Sequence, residues 1–171
     1  VPVVWNSGGY DRVETLAALE GKIQIYLPDY KYTDPDTARR YAGAADYPET
    51  ARAAIREMVR QTGPYQLDEN GILTRGVILR HLLLPGGLNQ AKEVMDWVAE
   101  TFPPHTILFS LMSQYTPWGK AADYPPLDRR LRKSEIRAAE AYFTNLGLDG
   151  FTQGVEAAQA EYIPTFDLTG V

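Results

Sequence analysis

The sequence predicts an α/β fold built on a parallel sheet, and three observations support this prediction. First, short apolar runs at 23–27, 76–84 and 106–113 have the length and composition of buried strands. Second, these runs alternate with longer segments whose apolar residues recur at helical spacing. Third, such alternation favours right-handed crossovers, which lead either to a barrel-like sheet or to an open doubly wound one. We expect a single domain over residues 1–171, ending in a tail over 155–171.

The first half of the chain is predicted to contain two strands and three helices. Gly21 follows the first helix, and glycine is common just past a helix end. Asp34 before Pro35 is typical of a helix cap followed by a proline in the first turn. The predicted elements are a strand over 3–5, a helix over 11–20, a strand over 23–27, a helix from 35 to about 42 and a helix over 48–62.

The second half begins with the turn signal Asp68-Glu-Asn-Gly71, which indicates a small hairpin within 63–75. The run 76–84 is the clearest strand, because it is almost entirely apolar, as expected for a strand covered on both faces. The remaining predicted elements are a helix over 89–102, a strand over 106–113, a loop over 114–131 rich in proline and tyrosine, and a helix over 134–146.

Composition and charge argue against several classes of protein. The formal net charge is -5 and the chain has no stretch rich in lysine or arginine, which argues against a nucleic-acid partner. No apolar run approaches the roughly 18–20 residues of a membrane span. A signal peptide is not evident either, and we expect a cytoplasmic protein. The chain has no cysteine, which rules out disulfides and thiolate metal sites within these 171 residues.

Polar residues follow the predicted strands at their carboxyl ends, which is where parallel α/β folds place their working face. Arg80 differs, because it lies inside the third strand. The candidates at the strand ends are Asn6 and Ser7 after the first strand, Asp29 and Lys31 after the second, and Gln114 and Tyr115 after the fourth.

Strand parity places either Arg80 or His81 inside the barrel. An inward arginine needs an anion, because an unpaired buried guanidinium costs several kcal/mol. Asp29 or a ligand carboxylate would serve, and Asp29 with Lys31 could clamp a group that resembles an amino acid. The alternative is an internal pair of Asp29 with Arg80 or Lys31 that only fills the core. We expect His81 to pack against helices and His105 to be exposed, and two isolated histidines do not make a metal site.

These segments resemble a known family, the radical S-adenosylmethionine (SAM) proteins of the pyruvate formate-lyase-activating type. Four segments match in order, each modest alone, and the closing run 162–171 also resembles the end of that branch. The four are Asn6-Ser-Gly-Gly-Tyr10, Leu27-Pro-Asp-Tyr-Lys31, Arg80-His-Leu-Leu-Leu-Pro-Gly86 and Met112-Ser-Gln-Tyr115. The resemblance implies about strands 3–6 of a partial TIM-type (β/α)6 barrel.

The resemblance also implies roles for the candidate residues. Asp29, Lys31 and Arg80 would hold the polar groups of SAM. Asn6 and Ser7 would lie near its methionine end, and Gln114 or Tyr115 near its adenosine.

In the family, three cysteines in a Cys-x3-Cys-x2-Cys loop hold a [4Fe–4S] cluster that cleaves SAM to a 5′-deoxyadenosyl radical. The radical takes a hydrogen atom, in activating enzymes from a glycine of a partner protein. This chain has no cysteine. We therefore expect a C-terminal fragment that is inactive alone and whose full-length parent carries the cluster ligands.

Val1 opens directly on an apolar run, and we expect it to be a truncation or proteolytic boundary, with a processed terminus as the alternative. A barrel cut here would leave a free sheet edge at 1–5, through which we expect the fragment to self-associate.

Two other functions remain open. One is a small lyase or aldolase in which Lys31 forms a Schiff base with a carbonyl substrate. The other is a non-catalytic domain that binds a protein through the aromatic loop from Tyr115 to Tyr124, with Trp118 at its centre.

Overall fold

The structure, a computed structural model, describes residues 1–153. The predicted tail over 155–171, including the run 162–171, lies outside these residues. The strands are β1 (Val4–Ser7), β2 (Ile25–Pro28), β3 (Gln66–Leu67), β4 (Leu73–Leu82), β5 (Ile107–Met112) and β6 (Gly150–Gln153). The helices are α1 (Val13–Ala18), α2 (Pro35–Ala42), α3 (Tyr47–Thr62), α4 (Leu88–Thr101) and α5 (Lys133–Leu146), and a short 3-10 helix spans Gly119–Asp123.

Five strands form one parallel sheet in the order β1-β2-β4-β5-β6, and β3 pairs antiparallel with the start of β4. The predicted α/β class and the predicted hairpin are therefore confirmed. Asp68 makes the hairpin turn, because its Oδ1 accepts hydrogen bonds from the backbone N–H groups of Asn70 and Ile72. The predicted cap of α2 is confirmed too, since Asp34 Oδ2 accepts from the Thr37 N–H at 2.7 Å.

Strand β6 was not predicted, so the expectation of four parallel strands is corrected to five for the part of the chain that the structure describes. It is only four residues long and lacks the apolar run that marks β4 and β5. Its first residue, Gly150, allows the two backbones to lie close together, because a Cβ there would lie 1.9 Å from the Phe109 carbonyl oxygen. The strand thus depends on close pairing with β5, which a search for apolar runs does not detect.

The hydrophobic core lies between one face of the sheet and the helices. The core side of β4 and β5 presents Val77, Leu79, Phe109 and Leu111, all essentially buried. Residues of α3, α4 and α5 complete the same cluster. Each such side chain contributes about 1.5–3 kcal/mol on burial, which fixes the register of these strands because a one-residue slip would expose the whole set.

The opposite face of the sheet carries side chains that are partly open to solvent. Val4 is 49% exposed and Phe151 44% exposed, although both belong to strands. Within residues 1–153, the edge strands of the sheet are β1 and β6. Among the described residues, no helix is both long and apolar enough to cross a bilayer.

Candidate functional site

Asn6, Asp29, Lys31 and Arg80 form one polar cluster at the carboxyl end of the sheet, on its partly open face. Arg80 Nη2 donates to Asn6 Oδ1 at 2.7 Å and lies 2.8 Å from Asp29 Oδ1. Lys31 Nζ lies 3.7 Å from Asp29 Oδ2. The sequence left open an internal pair of Asp29 with Arg80 or Lys31. In the structure Asp29 pairs with both cations, and Asn6 contacts Arg80.

Strand register explains why residues so far apart in sequence meet here. Asn6 pairs with Leu27 in β1 and β2, and Asp29 pairs with Arg80 across an isolated bridge between the end of β2 and β4. Because side chains alternate along a strand, Asn6, Asp29 and Arg80 all lie on the same face. His81, the next residue, points to the helices.

The cluster keeps unused hydrogen-bonding capacity. Asp29 Oδ1 and Arg80 Nε are buried and have no hydrogen-bond partner among the described residues. The contact between Asp29 Oδ1 and Arg80 Nη2 is an ion pair by distance, but its angles do not make a hydrogen bond. Buried polar groups are normally satisfied, and an unsatisfied one costs about 1–3 kcal/mol. A ligand with both a donor and an acceptor would satisfy them.

Ser7 is directed away from this cluster. Its hydroxyl donates to Asp11 Oδ2 at 2.5 Å and accepts from the Gly9 N–H at 3.2 Å. Asp11 also accepts from Trp5 Nε1 at 3.4 Å. Ser7 therefore shapes the turn after β1, and its predicted place beside the methionine end of SAM stays a prediction.

Tyr47 positions the cluster, although nothing in the sequence singled it out. Its buried hydroxyl accepts from the Lys31 N–H at 3.0 Å and lies 2.9 Å from Gly8 O and 3.0 Å from Asp29 O. Burial raises the pKa of this phenol well above its ordinary value, so the hydroxyl keeps its proton. The ring comes from the first turn of α3, and only the tertiary fold brings it between β1 and β2.

Gly9 permits the closest approach in the site. Its φ is +77°, and a Cβ there would lie 2.0 Å from the Asp29 carbonyl oxygen. The sequence did mark this turn, because two consecutive glycines follow β1. The turn can therefore lie directly against the backbone of Asp29.

The two histidines lie outside the cluster. His81 is buried as predicted, with Nδ1 2.7 Å from the Tyr30 carbonyl oxygen, so this nitrogen is the donor. Burial lowers the pKa of His81, which keeps the ring neutral. The His105 side chain is 78% exposed, and its Nδ1 lies 2.8 Å from Asp149 Oδ2. Within residues 1–153, no group of three metal-ligating side chains is present.

A cavity of about 530 Å³ adjoins the cluster, covered by the loop over 114–131. Tyr115 forms part of its wall, and its hydroxyl donates to the Leu127 carbonyl at 2.7 Å. Gln114 is not among the lining residues, but its Oε1 is buried without a partner among the described residues. The cavity is lined by Asp29, Lys31, Tyr32, Tyr41, Leu82, Leu84, Met112, Tyr115, Trp118, Lys120, Ala121, Tyr124 and Leu127.

Glu135 anchors the loop that covers this cavity. Both carboxylate oxygens accept from the Arg129 guanidinium, at 2.8 and 2.9 Å. The same carboxylate accepts from the Gly86 and Arg132 N–H groups at 2.7 and 2.8 Å. The Arg129 hydrogen bonds are the main reason why the pKa of Glu135 falls to about 2. The loop is thus tied both to the segment after β4 and to the start of α5.

Comparison with known proteins shows the fold. No protein-family model matches the chain. The chain is 29% identical to an uncharacterized protein of Methanocaldococcus jannaschii over 150 residues, which is 87% of this chain and 40% of that protein. It therefore spans 40% of the length of this curated relative.

A solved structure has the same fold. It is the crystal structure of a domain of pyruvate-formate lyase-activating enzyme from Bacteroides vulgatus, with a TM-score of 0.61 and 15% identity. The match covers 86% of this chain and 79% of that chain. At this identity the similarity establishes the fold alone. It confirms the predicted fold class, part of an open (β/α) barrel.

Proposed function

We propose that this chain is the C-terminal part of a radical SAM protein of the pyruvate formate-lyase-activating type. The observation that carries the proposal is the cluster of Asn6, Asp29, Lys31 and Arg80 on the open face of the sheet. Its position at the carboxyl ends of three adjacent parallel strands is where such folds bind ligands. The fold shared with the Bacteroides domain supports the same assignment.

The cluster fits the amino-acid end of SAM. Arg80 Nε, buried and without a partner among the described residues, offers a donor for the carboxylate, with Lys31 as a second cation. Asp29 Oδ1 lies in an ion pair with Arg80 but accepts no hydrogen bond from a described residue, and it offers an acceptor for the ammonium group. Gln114 Oε1 is a second acceptor without a partner among the described residues, and we assign it to the adenosine side. When bound, SAM and a [4Fe–4S] cluster supply the one-electron chemistry of hydrogen-atom abstraction.

The residues of this chain do not fit a [4Fe–4S] cluster. It has no cysteine to provide thiolates. The cluster ligands would therefore come from another part of the parent protein, and the chain alone would be inactive. Within the proposal, its residues bind and orient SAM and shield the site from water. A glycine or another hydrogen donor in a protein partner would be the target.

The test uses the parent polypeptide, reconstituted without oxygen with iron and sulfide. SAM affinity is measured by equilibrium binding, and 5′-deoxyadenosine is measured after addition of a one-electron reductant. Arg80→Ala removes charge-assisted hydrogen bonds of about 1.5–3 kcal/mol, so SAM should bind roughly 10–100-fold more weakly. Arg39→Ala is the matched control, because Arg39 is an exposed arginine of α2 with a similar ion pair.

Unchanged SAM affinity in Arg80→Ala, with the fold intact, would disprove the assigned clamp. If the parent protein carries a complete [4Fe–4S] cluster and still yields no 5′-deoxyadenosine, the radical SAM activity is refuted. The protein-binding alternative through the aromatic loop would then be favoured.

A further inference from the structure

The cavity beside the 114–131 loop shares Asp29 and Lys31 with the proposed SAM clamp, but its apolar and aromatic walls and Lys120 are not used by that clamp. Four half-buried apolar side chains, Leu82, Leu84, Met112 and Leu127, form part of its lining. Aromatic rings form much of the rest, contributed by the segment after β2, by α2 and by the loop: Tyr32, Tyr41, Tyr115, Trp118 and Tyr124. Its volume, about 530 Å³, lies within the range of small-molecule sites.

The charges that line the cavity favour an anion. Asp29 is the sole carboxylate among the described residues that line the cavity, and it is already offset by Arg80 and Lys31. Lys120 also lines the cavity, and no described residue forms an ion pair with it. A positive charge is therefore left over at the loop side of the cavity.

We propose that this cavity binds a small aromatic anion, a flat ring system that carries a carboxylate or sulfonate. The ring would lie among the tyrosines and Trp118, whose faces and edges suit stacked or edge-to-face contacts. The acidic group would pair with Lys120. This site adjoins the proposed SAM clamp, because Asp29 and Lys31 line the cavity as well, whereas Asn6 and Arg80 do not.

The charge of the ligand distinguishes specific binding at this site from nonspecific hydrophobic binding. An aromatic cation should be repelled by Lys120 and Lys31, whereas an aromatic anion of the same size should bind. Trp118 is 74% exposed, so its replacement leaves the core untouched. Lys120 is also exposed and lies in the short 3-10 helix, so removal of its charge should not unfold the chain.

The experiment titrates this chain with 8-anilinonaphthalene-1-sulfonate and follows the dye fluorescence, with proflavine as the aromatic cation. The dissociation constant of the sulfonate should rise about fivefold in Lys120→Met and about fivefold in Trp118→Ala. Lys133→Met, an exposed lysine outside the cavity, should leave it unchanged. Thermal unfolding of each variant verifies that the fold is retained.

Three results would overturn the proposal: equal binding of proflavine, no effect of either cavity variant, or displacement of the dye by SAM. Displacement by SAM would assign the cavity to the cofactor. Retained dye binding in Arg80→Ala, together with lost SAM binding, would instead support two separate sites. Failure of the SAM proposal alone would leave this result unaffected.

Discussion

Gly9→Ala should destabilise the chain more than any ordinary glycine replacement, because two separate costs meet at this position. The residue has φ +77°, a left-handed conformation that costs an alanine about 1–2 kcal/mol. In addition, the new Cβ would lie 2.0 Å from Asp29 O, where contacts under 3.0 Å essentially never occur. The turn after β1 and the end of β2 must therefore separate by at least 1.0 Å, the difference between these two distances.

Such a separation would disturb the contacts that join the two strands. The Tyr47 hydroxyl bridges Gly8 O and Asp29 O, and the Asp29 N–H donates to Ser7 O at 3.0 Å. Loss of one or two of these hydrogen bonds adds about 1–3 kcal/mol to the backbone cost. We expect Gly9→Ala to lower the free energy of unfolding by about 2–5 kcal/mol in total.

The control is Gly43→Ala at the end of α2. Its φ is +68°, and no atom lies within 4 Å of the position that a Cβ would take, so it carries the backbone cost alone. Urea and thermal unfolding of both variants should separate them by about 2 kcal/mol, or roughly 4–8 °C in Tm for a chain of this size. Equal destabilisation of the two variants would refute the close approach that we describe.

Three further outcomes follow from the structure. The pKa of Glu135 is lowered from 4.5 to about 2, so its contribution to the free energy of unfolding should be lost as pH falls through this range. In Glu135→Gln the free energy of unfolding should depend less on pH there, and an unchanged pH dependence would contradict the loop anchor. The pKa of buried His81 is lowered, so as pH falls the unfolded state binds this proton at a higher pH than the folded state does. The free energy of unfolding should therefore decrease below about pH 6.5. His81→Gln should remove this pH dependence, and its persistence would contradict a neutral ring. The chain should self-associate through edge strand β1 at high concentration, as light scattering would detect, and Val4→Lys should reduce this; a monomer at every concentration would disprove the edge interaction.

Much of the fold could be predicted because the strongest signals are local. The helices α2 and α5 begin and end within a residue or two of their predicted bounds, since caps, glycines and apolar spacing all agree there. The pairing of Asp29 with Arg80 was also predictable, because alternation along a buried strand forces an inward charge to find a partner.

The remaining features depend on contacts that a sequence does not display. In the local sequence, Tyr47 is one more aromatic residue at the start of a helix. Its role arises only when α3 packs beside β2. Ser7 follows Asn6 directly, yet alternation turns its hydroxyl to the other face, where Asp11 accepts from it. Strand β6 was not predicted from the sequence because its pairing with β5 depends on a glycine rather than on apolar residues.

The Arg80 side chain reaches past β2 to Asn6 on β1, so one hydrogen bond joins strands that are not neighbours. The three β-α units that supply Asn6, Asp29 and Arg80 are therefore linked at their working ends. A ligand held by all three would bind only after each unit has docked, and its binding free energy would be added to the cohesion of the sheet. At a concentration 100 times its Kd, such a ligand adds about 2.7 kcal/mol to stability. Resistance of the β1 segment to proteolysis should then report occupancy of the site.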